Sequence, residues 1–392
     1  MKIVVIGMGQ CGGRIADEFA KLNKRAMSQR GIEIVTGCFA VNTDAADLSG
    51  LRSIRRDFQH RIIIGGRKTG GHGVGKINEM GAEIAREDAD KVIDAIRTTK
   101  RFYETDAFLL IASSGGGTGS GSLPVMTQHV KERYSDKPVY TAIILPFEHE
   151  EATEERTVYN TATCLKSTYS VADSVFLIDN QRYIRKDSSL SNNLSKINAL
   201  IAEPFYGILC AGEEKKPKHI GAKLLDAGDI MQTVVGWTVL GYGSSQLPMF
   251  RFLSGNRNDF DSKGKETQKG IMAMDAAISE LSLNCNPEDA RRALYLVSAP
   301  SRDMNVDLVK DLGDYLRSIT PHAIIRNGDY PRQRGVLDVS VIMSELSDVE
   351  KIRGYYTKST TLIPAMKRRE QETEDKLREL EHSSMEVPSL VQ

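Results

Sequence analysis

The chain has 392 residues, of which 40% are hydrophobic and 27% charged, a mixture typical of a folded protein with two or three domains. Lys plus Arg total 52, as do Asp plus Glu, so the composition provides neither a basic field for nucleic acid nor the acidic excess of a disordered chain. We expect no transmembrane helix and no signal peptide, because the apolar runs are short. The five scattered cysteines indicate neither a disulfide framework nor a zinc site, and favour a reducing cytoplasm.

The first half of the chain alternates strand and helix patterns. Apolar, β-branched runs predict strands at residues 3–6, 34–41, 61–64, 107–112, 139–145 and 175–178. Helical spacing of apolar residues predicts helices at residues 13–22, 81–98 and 123–133. This alternation predicts an α/β fold, a Rossmann-like, doubly wound parallel sheet.

The second half predicts a long central helix and then a smaller α+β domain. The predicted elements are a helix at 192–209, a loop at 212–219, a helical stretch at 224–235, a strand at 237–243, a long polar loop at 245–268, a helix at 271–283, a strand at 293–298, a helix at 305–319 and strands at 323–326 and 336–343. Beyond residue 345 the chain is highly charged, with i,i+4 pairs that predict a solvated helix and then a disordered tail. The domain boundaries predicted are 1–190, 191–222, 223–345 and 346–392.

Glycines cluster at the ends of predicted strands. Residues 7–12 form the pattern G-x-G-x-x-G between a strand and a helix, where backbone amides attract phosphate. Taken alone, this pattern also fits a plain tight turn, or a nicotinamide or flavin enzyme in which Asp44 holds a ribose. Residues 70–76 nearly form a P-loop, but Ile77 stands where Ser or Thr must bind magnesium, so we exclude a Walker site. His72 in this loop is interpreted as a structural donor.

The third glycine loop carries the strongest signal. Residues 115–121 contain five glycines interleaved with Thr118 and Ser120, directly after a buried strand and before a helix. Such a loop can form a concave nest of amides around a diphosphate or triphosphate. A flexible linker has a similar composition but does not lie between a buried strand and an apolar helix of one domain. A dehydrogenase of the Rossmann type needs no such second loop.

Residues 114–121 resemble the signature loop of the tubulin/FtsZ family, among the most specific short motifs of any nucleotide-binding family. Further segments resemble the other nucleotide loops in family order: residues 9–13, 42–44, 70–75, and 173–174 with 179–180. The resemblance covers roughly residues 1–345 and is closest to the CetZ group of archaeal tubulin-like proteins. The segments that carry this closer likeness are residues 71–75, 78–85 and 211–213.

The resemblance implies GTP and GDP as ligands, with Mg²⁺ accompanying the nucleotide and no metal site made by the protein alone. The residues implied to contact the phosphates are Gln10, Cys11, Gly12, Gly13 and Arg14, and those implied to wrap the β- and γ-phosphates are Gly116, Gly117, Thr118, Gly119 and Ser120. The other loop residues implied to bind the nucleotide are Asn42, Asp44, Gly115 and, in the third loop, which is implied to sense the γ-phosphate, Gly71, Gly73 and Gly75. Glu150 is implied to bind the ribose hydroxyls. Asn180 and Asn198 are implied to bind the guanine edge, since an amide offers both a donor and an acceptor.

Asp226 and Asp229 are the candidate catalytic residues. Two carboxylates three residues apart at a helix start share one face and can orient a water for in-line attack. Capping of the helix by aspartate explains the same spacing, and both roles can hold together. The resemblance implies that these carboxylates act on the nucleotide of the next subunit. Leu224 stands where FtsZ usually has Asn, and Arg156 is off the spacing of the ribose-clamping arginine of FtsZ.

The sequence therefore predicts an assembly-dependent GTPase that polymerises head to tail. By resemblance to CetZ, we expect a role in cell shape, with a division-ring GTPase as one alternative and a dinucleotide-dependent oxidoreductase as another. Its expected partner is a second copy of itself, with a membrane adaptor as a further option. The long loop at 245–268 stands where tubulin has its lateral-contact loop. A net charge of zero leaves little repulsion between copies.

Overall fold

The computed structural model describes residues 1–184, 190–247, 259–333, 335–385 and 387–388. Its described residues form one sheet of ten strands. In chain order the strands are β1 (Ile3–Met8), β2 (Val35–Asn42), β3 (Arg61–Ile63), β4 (Ala107–Ser113), β5 (Val139–Leu145), β6 (Ser174–Asp179), β7 (Gly236–Gln246), β8 (Arg292–Ala299), β9 (Ile324–Pro331) and β10 (Val336–Ser344).

Helices connect most of these strands. They are α1 (Gly9–Arg30), α2 (Ala45–Ser49), α3 (Gly66–Thr69), α4 (Asn78–Glu87), α5 (Ala89–Arg97), α6 (Thr118–Arg133), α7 (Glu148–Thr153), α8 (Glu155–Tyr169), α9 (Leu190–Ala211), α10 (Ala227–Thr233), α11 (Asp259–Ser279), α12 (Val306–Ile319) and α13 (Glu350–Ser384). Asn305 caps α12, as predicted, by accepting a hydrogen bond from the Leu308 amide at 2.7 Å.

The strand order is β3-β2-β1-β4-β5-β6-β7-β10-β8-β9. Strands β1 to β7 pair in parallel, β10 runs antiparallel to both of its neighbours, and β9 is parallel to β8. The first six strands follow the doubly wound order, in which ligands bind where the order reverses, between β1 and β4. The predicted fold class is confirmed: a Rossmann-like sheet with a smaller mixed unit after the central helix.

Both faces of the parallel sheet are buried, which explains the continuous apolar runs of its strands. Alternate residues of β1 enter two separate cores: Val4 and Ile6 pack with α4, α5, α6 and α8, whereas Ile3 and Val5 pack with α1 and α9. The central helix α9 also contacts the strands of the C-terminal unit. It ends near the chain start, where the Met1 amine donates to the Leu209 carbonyl at 3.0 Å.

Two predicted elements differ from the structure. The single helix predicted at 81–98 is two helices, α4 and α5, and the junction residue Asp88 accepts a hydrogen bond from the Gly65 amide at 2.7 Å. The loop predicted at 245–268 is wrong over its last ten residues, because α11 begins at Asp259. That stretch is polar and lacks apolar periodicity, so its pattern indicated a loop. Residues 248–258 and the tail residues 386 and 389–392 lie outside the described residues.

We predict opposite effects of alanine at two neighbouring glycines of α1. A Cβ at Gly12 would lie 2.0 Å from the Ile111 carbonyl oxygen, whereas a Cβ at Gly13 would meet Ala40 at 3.7 Å. Gly12→Ala should therefore lower the free energy of unfolding by about 1–3 kcal/mol through overpacking. Gly13→Ala should leave it unchanged or raise it by up to about 1 kcal/mol, since alanine favours a helix.

Urea unfolding of the two variants and the unmodified chain measures both effects. Equal stability of the two variants would contradict the close approach of α1 to β4.

Candidate nucleotide-binding site

A cavity of about 360 Å³ lies at the carboxyl edge of the sheet, where β1 and β4 end and α1 and α6 begin. Residues from seven separate stretches of chain meet there, because the carboxyl ends of parallel strands lie at one edge. The predicted residues that line the cavity are Gln10, Cys11, Arg14, Asn42, Asp44, Gly73, Gly115, Gly116, Gly117, Thr118, Gly119, Glu150, Asn180 and Asn198.

The other predicted phosphate residues lie outside the cavity lining: Gly12, Gly13, Gly71, Gly75 and Ser120. Gly12 packs against β4 instead, where a larger residue would collide with the Ile111 carbonyl. The Ser120 hydroxyl donates to the Gly116 carbonyl and is buried, so it braces the loop from behind. Gly71 and Gly75 have φ of +81° and +55° and shape the turn of the third loop.

The loop between β4 and α6 is held in place by hydrogen bonds to its carbonyl oxygens. The Asn160 side-chain amide of α8 donates to the carbonyls of Gly115 at 3.2 Å and Gly116 at 3.1 Å. Because the C=O and the N–H of one trans peptide group point in opposite directions, the N–H groups of Gly116 and Gly117, which share peptides with the bonded carbonyls of Gly115 and Gly116, point away from Asn160. Both glycines line the cavity, so these amides are available to an anion. Asn160 carries no motif, and the sequence analysis missed it.

Carboxylates outnumber cations among the described side chains that line the cavity: Asp44, Asp47 and Glu150 against Arg14 and Lys76. A polyanion bound here must therefore rely on backbone amides, on the helix termini of α1 and α6, and on added cations.

The three carboxylates are held by local hydrogen bonds. Asp44 caps α2 by accepting from the Asp47 amide at 3.1 Å. Asp47 in turn accepts from the side-chain amides of Gln10 at 2.5 Å and Asn42 at 3.0 Å. Glu150 accepts from the Phe147 amide at 2.9 Å at the start of α7. These bonds fix the orientation of the walls before any ligand binds.

Some cavity residues were missed by the sequence analysis: Gly9, Asp47, Lys76, Ser113, Pro146, Phe147, Thr157 and Leu194. Gly9 and Lys76 lie within the segments 9–13 and 70–76 but were not named as site residues, and Asp47 lies three residues beyond the loop at 42–44. Thr157 and Leu194 lie on helices and carry no recognisable pattern. Arg156 lies outside the lining and forms an ion pair with Glu79.

The predicted catalytic pair lies at the other end of α9. Asp226 caps α10 by accepting from the Asp229 amide at 2.9 Å, and Asp229 lies 3.4 Å from the Arg326 guanidinium. A Cβ at Gly212, directly after α9, would lie 3.2 Å from the Asp226 Cα. Asn198 lines the cavity, and from there α9 runs 13 residues to Ala211, or about 20 Å at helical rise. The acidic pair is thus remote from the cavity of its own chain.

Family models match both halves of the chain. The GTPase domain of the tubulin/FtsZ family matches residues 2–186, and the C-terminal domain of tubulin-like CetZ proteins matches residues 187–360. The class defined by the fold and the cavity is therefore that of tubulin-type GTPases.

Individual relatives narrow the class. The tubulin-like protein CetZ1 of Haloferax volcanii is 32% identical over 369 residues, which span 90% of each chain. The GDP-bound CetZ1 monomer has a TM-score of 0.78 at 29% identity and covers 92% of this chain and 99% of its own. A GTPγS-bound CetZ2 protofilament from the same organism has a TM-score of 0.78 at 26% identity, and the match covers 94% of this chain and 100% of the CetZ2 chain. The chain belongs to the CetZ family of tubulin-like proteins, as its motifs indicated.

In the part of the chain that the structure describes, no helix is both long enough and apolar enough to cross a membrane.

All five cysteines belong to the described residues and are free thiols. Burial, together with the Glu150 carboxylate, raises the pKa of the cavity residue Cys11 to about 12. Burial also raises the pKa values of Cys164 and Cys210 to about 12. The raised pKa values favour the protonated form of these thiols at neutral pH.

We predict that the protein loses stability in alkaline solution. A thiol of the unfolded chain ionises near about pH 8.5, whereas the buried thiols stay protonated, so the unfolded state releases protons first. The thiols stabilise the fold fully below that pH, and the free energy of unfolding should fall as pH rises from about 9 towards 11. Urea unfolding at several pH values measures the slope. Cys164→Ala should reduce this slope by up to about 1.4 kcal/mol per pH unit, and an unchanged slope would contradict the shift.

Proposed function

We propose that this chain binds GTP in the cavity and hydrolyses it with Asp226 and Asp229 of the next subunit in a head-to-tail filament. The separation of the two sites by α9 carries the proposal. A cavity at one end and a carboxylate pair about 20 Å away cannot react within one chain. Stacking of one subunit on the next brings the pair to the neighbour's cavity.

Within the cavity, the amides of Gly116 and Gly117 bind phosphate oxygens, and Asn180 and Asn198 bind the guanine edge. Asp44 and Asp47 place carboxylate oxygens at the wall, which fits Mg²⁺, an ion bound through one or two carboxylates plus phosphates. When bound, Mg²⁺ would neutralise part of the phosphate charge. This arrangement explains how a cavity with more carboxylates than cations accepts a polyanion.

At the far end of α9, the acidic pair orients the attacking water. One oxygen of Asp226 accepts a hydrogen bond from the Asp229 amide, and the second oxygen can accept a hydrogen bond from the water molecule. Arg326 restrains Asp229 through the contact at 3.4 Å. The role as helix cap and the role as water-orienting carboxylate are therefore compatible.

The surface beside the acidic pair supports assembly. Ile220 and Leu224, both close to Asp226 in sequence, are 41% and 44% exposed. A contact with a second copy would remove these two side chains from water. A heterologous interface that does not close produces an open filament. The GTPγS-bound CetZ2 relative forms a protofilament, which supports self-association of this chain.

We further propose a role in cell shape, since the chain belongs to the CetZ family. The division-ring alternative has less support, because Leu224 replaces the asparagine that FtsZ usually carries.

GTP turnover should depend steeply on protein concentration. Turnover per subunit should be near zero below a critical concentration and should rise above it, because the catalytic pair comes from a neighbour. Phosphate release across a dilution series, with filaments followed by light scattering, measures this dependence. Constant turnover per subunit on dilution would refute catalysis by a neighbour.

A nucleotide titration tests the oxidoreductase alternative. GTP and GDP should bind and NADH should not; binding of NADH would favour the oxidoreductase.

Asp229→Ala should keep nucleotide binding, lose turnover by at least about 100-fold and stabilise filaments, since general acid–base groups contribute about 10²–10⁴-fold. The matched control is Asp307→Ala, which removes an exposed aspartate from the first turn of another helix, α12. The control should turn over GTP normally. Normal turnover by Asp229→Ala would remove Asp229 from the mechanism.

A further inference from the structure

Lys76 closes the glycine loop that was excluded as a Walker site, and it lines the cavity. Three non-glycine residues have positive φ in the described part of the chain, and Lys76 is one of them, with φ of +63°. Its carbonyl accepts hydrogen bonds from Asn160 at 2.9 Å and from Arg156 at 3.4 Å. A side-chain-bearing residue stays in this unfavourable conformation only when its surroundings hold it there.

The backbone of Lys76 packs directly on the phosphate loop. A Cβ at Gly117 would lie 2.8 Å from both the Cα and the carbonyl carbon of Lys76. The same Asn160 amide group holds the carbonyls of Lys76, Gly115 and Gly116. The two loops are therefore fixed to each other, and the Lys76 side chain starts beside the amides proposed to bind phosphate.

The ammonium group of Lys76 forms an ion pair with Glu154, between α7 and α8. Both side chains are more than two-fifths exposed. An exposed pair of this kind contributes little to stability and is readily exchanged. The neighbouring Arg156 is already paired with Glu79. The Lys76 ammonium is thus the cation at this wall whose present partner is easily replaced.

The charge balance of the cavity favours such an exchange. Arg14 and Lys76 are the cations among the described residues of the lining, against three carboxylates. GTP brings one more phosphate than GDP, and its additional charge needs a cation close to the loop. Lysine is well suited to this as a mobile point charge.

We propose that Lys76 is a γ-phosphate-binding residue that leaves Glu154 for the γ-phosphate of GTP and so distinguishes GTP from GDP. The inference rests on the proposed binding of guanine nucleotides in this cavity. It assigns triphosphate selectivity to a side chain, in addition to backbone amides. In the GDP state the ammonium returns to Glu154.

Equilibrium binding of fluorescent GTPγS and GDP tests the proposal, at protein concentrations below assembly. Lys76→Met should weaken GTPγS binding about tenfold or more, which corresponds to about 1.4 kcal/mol, and should change GDP binding less than about twofold. Lys76→Arg should recover part of the loss, because it restores the charge. Equal weakening for both nucleotides, or no weakening, would overturn the assignment.

Two further variants separate ligand contact from a structural role. Glu154→Gln removes the competing carboxylate, so GTPγS binding should stay the same or become tighter; a loss like that of Lys76→Met would show that the ion pair itself matters. Lys68→Met removes a lysine from α3 that pairs with Glu83 and Glu87 outside the lining, and it should bind both nucleotides normally. If the unmodified chain binds neither nucleotide, the proposed function fails rather than the role of Lys76.

Discussion

Backbone-to-backbone contact at a few glycines is the constraint on which this structure depends. A Cβ at Gly12 or at Gly121 would lie 2.0 Å from a carbonyl oxygen of a neighbouring element, β4 or α4. A Cβ at Gly7 would lie 2.2 Å from the carbonyl oxygen of Gly12. Only residues without a side chain let α1 approach the sheet, and α6 approach α4, this closely. This close packing leaves a cavity at the carboxyl edge of the sheet, lined by loops and by the first turns of helices.

The same packing explains how the cavity attracts an anion without a cluster of lysines. The glycine loops expose amides, and the starts of α1 and α6 add the positive ends of two helix dipoles. A few charged side chains then suffice for selectivity. The near balance of charge over the whole chain leaves little long-range repulsion against a second copy.

The central helix α9 sets the distance between the cavity and the acidic pair. Its packing on α1, with Phe19 and Phe205 edge to face at 5.4 Å, fixes it to the nucleotide domain. Gly328 of β9 lies against Leu225, so the C-terminal unit holds the segment before Asp226. The cavity and the acidic pair are thereby kept apart within a chain. Assembly is the step that joins them in our proposal.

Local patterns in the sequence predicted the parallel sheet and its glycine loops, and the resemblance to the tubulin/FtsZ family supplied most of the residues named for the cavity. Strand runs, glycine clusters and the residues beside them suffice to place Gln10, Asp44 and Gly117 at one edge. Their contacts with nucleotide stay predictions. Side chains from packed helices, such as Asn160 and Thr157, were not predictable, since only the tertiary fold brings them to the loops.

Other differences have physical reasons. Phosphate contact by Gly12 stays a prediction; the structure shows that Gly12 packs against β4, and a sequence pattern does not reveal this use of glycine. The polar start of α11 was predicted as a loop, because it lacks apolar spacing. Lys76 was set aside with the excluded P-loop, although its position against Gly117 places it at the cavity.

Mixing two inactive variants measures most directly whether one active site is shared between subunits. Asp229→Ala keeps the cavity and lacks the acidic pair. Gly116→Leu keeps the acidic pair and should obstruct the cavity; a Cβ at Gly116 meets its nearest atom at 3.8 Å, so the first side-chain atom has room there. Each variant alone should release no phosphate from GTP, and the mixture should recover turnover. A mixture that remains inactive while Asp229→Ala still binds GTP would contradict catalysis across the subunit interface.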